Sequence, residues 1–329
     1  MKKSCFAFLA AFLCLATTYV LIVKIFVPWG PALVLGILGS LSVIMLFGGV
    51  LQCFQNLRKI FAVRRALSGS AFRDGGIAAA IGRISASAAP LKSPIQQKDV
   101  VLYEYDVYRV SNDPNQQNRS SGRDILYSGM AMTPASIQTM QGSVRLMGLP
   151  TLDHLLEITS MEDNATMSFL DYLGSNSFEV ALGMKKLSAV GKLADMFEEN
   201  DGACRQDLQL GKAPVQWDEF KVANKPSEAW AAARNGGDIP SSWHNLRFSE
   251  KIVAVGEEVV AFGRYDATQM ALFNQMGFGG SVNDLYPGKP DAVIRKLRNS
   301  GLSMLVFAIV FFSFLHLILA LMITRAPRG

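Results

Sequence analysis

The chain has 329 residues, 50% of them hydrophobic, and a formal net charge of +5. All 27 acidic residues lie between Asp74 and Asp291, where only 19 of the 32 basic residues are found, so this middle part carries a formal charge of −8. An acidic middle repels phosphate backbones, which argues against a nucleic-acid partner, and the basic, strongly apolar flanks exclude an ordinary soluble protein.

Three apolar runs lie in the flanks, at Ser4–Val23, at about Trp29–Phe54 and at Leu302–Thr324. Each supplies the roughly 20 apolar residues that a helix needs to cross a bilayer. A buried core helix is the alternative, but these runs are too long and lack a polar face. The sequence therefore predicts a hairpin of two transmembrane helices in residues 1–55 and a third transmembrane helix at 302–324.

The first run also has features of a secretory signal peptide, since Lys2 and Lys3 precede it and small residues follow Ala16. Its apolar residues continue to Val23, which is longer than the usual signal core, so we favour an uncleaved helix. The Pro and Gly residues within 28–31 predict a tight turn that ends the first helix and begins the second.

Basic residues set the expected orientation. One cluster follows the second run in a juxtamembrane segment, residues 56–73, and another precedes the third run, so the positive-inside rule places the insert between them in the cytoplasm. We expect a multi-pass protein of a bacterial inner membrane. The clusters are Arg58, Lys59, Arg64, Arg65 and Arg73, and Arg295, Lys296 and Arg298.

Part of the first cluster has amphipathic spacing. On a helix over 53–65, one face would carry the apolar side chains Phe54, Leu57, Ile60 and Phe61. Candidate lipid contacts on the opposite side are Arg58, Lys59, Arg64 and Arg65. A helix that gathers anionic lipid is one interpretation. The other, which we favour, is a basic flank that halts membrane insertion without lipid selectivity.

Cysteines and histidines are too few for most metal chemistry. Three cysteines lie in the apolar runs, which leaves Cys204 alone in the insert with His154 and His244. No CxxC, HExxH or other zinc spacing occurs, so a zinc ribbon, a RING and a metalloprotease are excluded. We predict no metal site, no cofactor and no disulfide framework, the last in agreement with a reducing compartment.

The insert, residues 74–291, is long enough to form one β-rich domain. Apolar residues alternate or run as in strands at Gly76–Ser85, Val100–Val110, Asp124–Met132, Ser143–Gly148, Ile252–Val255 and Val259–Tyr265. Helical periodicity occurs at Leu152–Ile158, Leu187–Phe197 and Ser227–Arg234. A long polar hairpin loop is predicted at 111–124 and an irregular segment at 200–243. The predicted fold class is α+β, a β-rich domain with a helical elaboration inserted between transmembrane helices.

Three sequence blocks resemble a known family. The first runs through Gly82-Arg83-Ile84, the Ala89–Pro94 segment and Val101–Tyr105; the second is Ser143–Leu146; the third is Glu250–Tyr265. Their order, spacing and placement between membrane helices resemble the GIDE-type domain, also called BAM for "beside a membrane". The motif positions are Gly82, Pro90, Leu91, Ser93, Pro94, Tyr103, Tyr105, Glu250, Gly256 and Gly263.

The resemblance covers about residues 75–265 and implies a scaffold domain beside a membrane. In the family's mitochondrial ubiquitin ligase, ubiquitin transfer resides in a RING, and this chain has no zinc ligands to carry that activity over. The expected roles of the matching residues are structural: the prolines stiffen a connection between strands, Gly256 suits a turn, and Gly263 allows a bulge at a strand end.

These features bear on four classes of function. A non-catalytic module that binds a protein partner, or a second copy of itself, agrees best with the topology and with the missing catalytic motifs. Lipid handling is the alternative. An enzyme is disfavoured because neither soluble histidine has a nucleophile elbow nearby, although Asp153-His154 invites a triad hypothesis. A transporter is disfavoured because three spans without an internal repeat are few.

Overall fold

A computed structural model gives the fold of the chain. It describes most of both flanks and most of the predicted strands. The described residues are 3–110, 123–147, 150, 152, 158–160, 167–169, 171–172, 215–220, 246–273, 275–277, 280–282 and 284–325. Five of the predicted features lie wholly or mostly outside these ranges: the helices at 152–158, 187–197 and 227–234, the hairpin loop at 111–124, and the irregular segment at 200–243.

Three helices account for the flanks: α1 at Lys3–Lys24, α2 at Trp29–Leu67 and α3 at Pro290–Arg325. Two of them, α2 and α3, are long and apolar enough to cross a membrane. Both continue well past the predicted spans, α2 at its C-terminal end and α3 at its N-terminal end. The juxtamembrane segment is therefore mostly the last turns of α2.

A β-barrel lies next to the extensions of these two helices. Its strands are β1 at Ile77–Ala86, β5 at Ala135–Thr139, β6 at Gly142–Met147, β10 at Glu258–Asp266, β11 at Ala271–Phe273 and β14 at Leu285–Pro287. The ring runs in the order β1, β5, β6, β11 and β10, and it closes because β10 also pairs with β1; β14 pairs with the first half of β10. All these pairings are antiparallel except that of β6 with β11.

A second sheet lies beyond the barrel, with the strand order β7-β9-β3-β4-β8 and with β2 paired to the start of β3. Its members are β2 at Leu91–Lys92, β3 at Asp99–Val110, β4 at Arg123–Met132, β7 at Ile158–Ser160, β8 at Val215–Phe220 and β9 at Leu246–Ala254. A small separate hairpin joins β12 at Gln275–Gly277 to β13 at Gly280–Val282. The chain passes between the two sheets at the β1–β2, β4–β5, β6–β7 and β9–β10 connections.

Strands β1 and β10 are apolar on both faces because both faces are covered. Ala78 and Val259 point into the core of the barrel, where they pack with other aliphatic side chains. Their neighbours Ala79 and Val260 point outward and pack against α2 and α3. A strand buried on both sides needs apolar residues in succession, which is the pattern of these two segments.

The three helices pack through small residues. A side-chain carbon at Gly36 of α2 would lie 2.3 Å from Val20 Cγ2 of α1, and one at Gly49 would lie 3.0 Å from Ala308 Cβ of α3. Such close approach between helices is what small residues allow. Gly36 therefore lies in the α1–α2 contact, and Ser40, one turn further along α2, is fully buried.

A hydrogen bond connects α1 to α3. The hydroxyl of Tyr19 lies 3.1 Å from Nε2 of His316, and Nδ1 of the same ring lies 2.8 Å from the carbonyl oxygen of Phe312. A carbonyl only accepts, so Nδ1 carries a proton, and in a neutral ring Nε2 accepts from Tyr19. His316 is therefore bonded to a neighbouring helix, as expected of a lone imidazole in an apolar run.

The mixed α and β content agrees with the predicted fold class, and the structure adds the closed barrel, which was not predicted. Strands β1, β3, β4, β6 and β10 lie where alternation placed them, within two residues at each end. Other segments differ from expectation. Strand β9 begins at Leu246, six residues before the predicted start at Ile252, and β5 and β11 were not predicted. Strand β8 lies inside the segment predicted to be irregular, and β7 begins at Ile158, where the last predicted helical residue falls.

Gly82 gives a test of the barrel geometry. A side-chain carbon at this position would lie 1.8 Å from the backbone oxygen of Gln138 on β5, so Gly82→Ala forces the two strands apart. We expect a loss of about 1–3 kcal/mol in the free energy of unfolding, measured as a lower thermal midpoint of the purified protein. Gly48→Ala is the control, because nothing lies within 4 Å of that position; an equal midpoint for both variants would contradict the close approach.

Candidate functional site

An open cleft with a volume of about 420 Å³ lies at the junction of α2 and the barrel. We call it the arginine cleft, because three of its lining side chains are Arg58, Arg65 and Arg73. The other lining residues are Phe61, Ala62, Asp74, Gly75, Gly76 and Ile77. Its formal charge is +2, from three guanidinium groups and one carboxylate.

One wall of the cleft is fixed by backbone hydrogen bonds to β10. The N–H of Gly75 donates to the carbonyl of Tyr265 at 2.9 Å, and the N–H of Tyr265 donates to the carbonyl of Gly76 at 3.0 Å. The N–H of Ala267 donates to Oδ1 of Asp74 at 2.9 Å. This wall is therefore rigid, and Oδ1 of Asp74 already accepts a hydrogen bond.

The other wall is the last part of α2, whose exposed face is amphipathic. Phe54, Leu57 and Phe61 are exposed, Phe61 at 62%. The guanidinium of Arg58 lies 4.4 Å from the centre of the Phe54 ring. Ile60, which the sequence placed on this face, lies instead on the opposite face and packs against the barrel. A face with exposed rings flanked by arginines is typical of a membrane interface.

Lys59 differs from the other three candidate lipid contacts. Its ammonium forms a salt bridge with the carboxylate of Asp284, and the two side chains are only 11% and 8% exposed. Asp284 lies 225 residues away in sequence, so no local pattern could have identified it as a partner. Arg64 is exposed on α2 without lining the cleft. Of the four candidates, Arg58 and Arg65 come together in the cleft.

A buried seam surrounds this salt bridge. Apolar side chains from α2, α3, β1, β10 and β14 form it: Ile60, Val63, Ala79, Val260, Phe262, Tyr286, Val293 and Leu297. Burial, with a contribution from the nearby Asp284 carboxylate, raises the pKa of the Tyr286 phenol. The amide Nδ2 of Asn56 donates to the carbonyl of Leu297 at 3.0 Å, which ties α2 directly to α3. We call this contact region the helix–barrel seam.

Glu250 of the family-motif set lies in the second sheet and holds the loop between β2 and β3. Its Oε1 accepts from the N–H of Ile95 at 2.9 Å, and its Oε2 accepts from the N–H of Gln96 at 3.1 Å. Ser93, fully buried, closes the same loop through its hydroxyl, which accepts from the N–H of Lys98 at 3.3 Å. The residues of the first and third sequence blocks thus meet in space.

Glu250 is 1% exposed. Burial raises the pKa of its carboxyl above the ordinary value of 4.5, although the hydrogen bonds from Ile95 and Gln96 act in the opposite direction. A raised pKa in a cleft can mark a general base. Here each oxygen is engaged by a backbone N–H of the loop, so the arrangement indicates a structural clamp rather than a catalytic base.

The tyrosines of the motif are core residues. Tyr103 and Tyr105 of β3 are buried beneath Phe169 and Tyr172, with the Tyr103 and Tyr172 hydroxyls 3.0 Å apart. The ring centres of Tyr105 and Phe169 are 5.5 Å apart at an interplanar angle of 60°. Tyr105 also lies directly across the strand pair from Glu250. These rings form an aromatic core over one face of the second sheet.

The remaining motif residues have backbone roles. Gly256 has a φ of +84° in the turn between β9 and β10, as the sequence predicted. Gly263 allows close approach rather than a bulge, since a side chain there would lie 2.9 Å from the carbonyl oxygen of Phe273. Leu91 pairs with Val100 at the start of β3. Pro90 is exposed just before β2, whereas Pro94 is buried in the loop held by Glu250.

No group of three or more potential metal ligands occurs among the described residues. Cys14 and Cys53 are free thiols in α1 and α2. His154, His244 and Cys204 lie outside the described ranges, so the structure does not place them. The arginine cleft is a concave surface with convergent charged groups, and it is the candidate functional site.

Lys59→Met tests the helix–barrel seam. This change removes the Lys59 ammonium from its buried salt bridge with Asp284, so we expect a loss on the order of 3 kcal/mol in the free energy of unfolding. The measurement is the thermal midpoint of the purified protein. Arg64→Met is the matched control, since it removes one exposed positive charge from the same helix. Equal midpoints for the two variants would show that the salt bridge adds nothing.

The Glu250 clamp predicts a pH dependence. The folded-state pKa is raised, so the folded protein holds the proton more tightly than the unfolded chain. The contribution of Glu250 to stability is therefore present at low pH and declines as pH rises from 4.5 through the folded-state pKa. Glu250→Gln removes this decline and also costs about 1–3 kcal/mol, because one loop N–H then faces an amide donor. Both effects are measured as thermal midpoints, from pH 4.5 upward, of the wild-type protein, of Glu250→Gln and of the exposed control Glu258→Gln. If the midpoints of all three proteins changed with pH in the same way, Glu250 would not be the group responsible.

Comparison of the chain with protein-family models, with curated protein sequences and with solved structures found no match. The features that bear on function are therefore those of the chain itself: two helices able to span a membrane, a barrel packed on their extensions, and a basic cleft where the two meet.

Proposed function

We propose that this protein is a non-catalytic, membrane-anchored module that binds a protein partner or a second copy of itself and organises a membrane assembly. It is a multi-pass protein of a bacterial inner membrane, and its β-rich domain lies in the cytoplasm. The domain is of the GIDE type. Ubiquitin transfer is not part of the proposal, since the chain has no RING cysteines.

The observation that carries the proposal is the helix–barrel seam. Helices α2 and α3 continue without a break from their apolar stretches into contact with the outer face of β1 and β10. The salt bridge of Lys59 with Asp284 and the hydrogen bond of Asn56 to Leu297 hold the same contact. A domain fixed in this way presents its far surface at a constant height and angle, which suits a scaffold.

The lengths of the helices support the membrane placement. Residues 29–57 carry no charged side chain, and at 1.5 Å per residue they span about 43 Å, close to the full thickness of a bilayer with its headgroups. Residues 299–324 contain no Lys, Arg, Asp or Glu and span about 39 Å. Because α2 and α3 are antiparallel, the basic residues at 58–65 and 295–298 fall on the same side.

The contact between the first and third sequence blocks supports the family resemblance. Gly82 pairs with Val259 in the barrel, and Tyr105 pairs with Glu250 in the second sheet. The same blocks also meet at the loop that Glu250 holds. Residues that form one motif in sequence therefore form one structural unit.

Lipid binding is the second candidate function. It is favoured by one specific observation, the arginine cleft beside the exposed rings of α2. An enzyme is favoured by none of the described residues, because the buried carboxylate of Glu250 is engaged by backbone N–H groups.

The test is gentle extraction of the tagged full-length chain, followed by quantitative mass spectrometry of the proteins that accompany it. We expect a cytoplasmic or membrane protein in stoichiometric amount, or a defined homo-oligomer. In the matched variant, residues 111–122 are replaced by Asn-Gly. Since Val110 pairs with Arg123, a two-residue turn closes the β3–β4 hairpin and leaves the strands paired.

Loss of the partner from this variant, with an unchanged thermal midpoint, would place the contact on the connection between β3 and β4. A partner retained by both proteins would place it elsewhere on the domain. Recovery of monomeric protein with lipid alone would overturn the scaffold proposal, and a partner exposed only outside the cytoplasm would overturn the orientation.

A further inference from the structure

We infer that the arginine cleft binds the phosphate of an anionic phospholipid headgroup, with Arg58, Arg65 and Arg73 as its donors. This inference goes beyond the proposed scaffold function and rests on its membrane anchoring. It names a binding site, three residues and a class of ligand.

The charges of the cleft favour an anionic ligand. No carboxylate in the described part of the chain forms a salt bridge with any of the three arginines. Asp74 is the one acidic residue among the lining side chains, and its Oδ1 accepts from Ala267. Three guanidinium groups around one cleft leave a positive charge that an anion can neutralise, and arginine forks match phosphate oxygens in geometry.

The backbone N–H groups of Gly75 and Gly76 in the cleft are already engaged within the protein. They donate to Tyr265 and to Arg73, so they are unavailable to an anion. Arg264 of β10 lies close by, since its Nη2 would be 3.7 Å from a side-chain carbon at Gly75. Recognition in this cleft therefore depends on guanidinium groups, and removing them should remove binding.

Position along α2 selects a lipid over a soluble anion. Arg58 is the first charged residue after Trp29, and the intervening stretch of about 43 Å places it in the headgroup layer of the bilayer. Arg65 lies two turns further, about 10 Å along the axis. Phe61, exposed between them, faces the same side as Phe54, where a ring can lie at the boundary of acyl chains and headgroups.

Size and shape agree with a headgroup. The cleft volume of about 420 Å³ falls within the range of about 300–1,000 Å³ usual for small-molecule sites. The cleft has a rigid wall on the barrel side and open space beside α2, so a phosphate can enter while its acyl chains remain outside. Lys59, which the sequence grouped with the arginines, contributes instead to the helix–barrel seam.

The experiment is a titration of the purified full-length protein in detergent, followed by native mass spectrometry. The probes are phosphatidylglycerol, phosphatidylcholine and soluble glycerol 3-phosphate. We expect phosphatidylglycerol to bind most tightly, and Arg65→Gln with Arg73→Gln to weaken it by about tenfold or more, since two charge-assisted contacts are lost.

The matched control also removes two positive charges. Arg64→Gln with Arg298→Gln changes exposed residues of α2 and α3 that do not line the cleft. We expect a change of less than about twofold in this control, because only long-range attraction is reduced. Thermal midpoints verify folding. Should the double variant be unfolded, Arg73→Lys keeps the charge, loses the guanidinium fork, and is expected to weaken binding by about threefold or more.

Three results would overturn the inference. Equal weakening in both double variants would indicate general electrostatic attraction. Equal affinity for phosphatidylcholine would indicate that the acyl chains alone are bound. Displacement of phosphatidylglycerol by similar concentrations of glycerol 3-phosphate would identify a soluble phosphate compound as the ligand. Failure of the scaffold proposal would be seen separately, as a missing protein partner alongside intact arginine-dependent lipid binding.

Discussion

The contact of two long helices with the outer face of β1 and β10 is the constraint on which the rest of this structure depends. It requires two adjacent barrel strands to be apolar on both faces, which Ala79 and Val260 satisfy on the helix side. It also requires the last turns of α2 to be amphipathic, with Ile60 and Val63 buried and the arginines exposed. The cleft exists because the chain must return from the end of α2 to the start of β1 along that exposed face.

Local patterns predicted the long elements, because each of these has a one-dimensional signature. Strand β3 is an alternation of dry and wet residues, and α2 and α3 are long apolar runs. Closure of the barrel has no such signature. It depends on the parallel pairing of β6 with β11, between Arg145 and Ala271, which are far apart in the chain. Strand β8 was missed because Val215–Phe220 lies within a segment rich in Asn, Gly, Asp and Pro, whose composition predicts irregular structure.

The candidate site was predictable in part. Arg58 and Arg65 belonged to the basic cluster expected near a membrane, but nothing local separated them from Lys59. The separation is tertiary, because Lys59 faces Asp284 while the arginines face the cleft. The wall at Arg73–Ile77 was likewise beyond reach of sequence patterns, since hydrogen bonds to Tyr265 and Ala267 determine its position. Glu250 was singled out in the sequence as a motif position, and the structure shows that it holds the loop between β2 and β3.

The hydrogen bond between Tyr19 and His316 has a consequence for the fate of α1. His316 lies in an apolar run of α3, where its Nε2 has no partner in the described residues other than the Tyr19 hydroxyl. Proteolytic removal of α1 would leave this ring nitrogen facing acyl chains, at a cost comparable to that of a lost hydrogen bond. Removal would also uncover Gly36 and Gly39 on α2, whose surfaces are shaped to Val20 and Tyr19. Through these two contacts α1 packs against both of the other flanking helices.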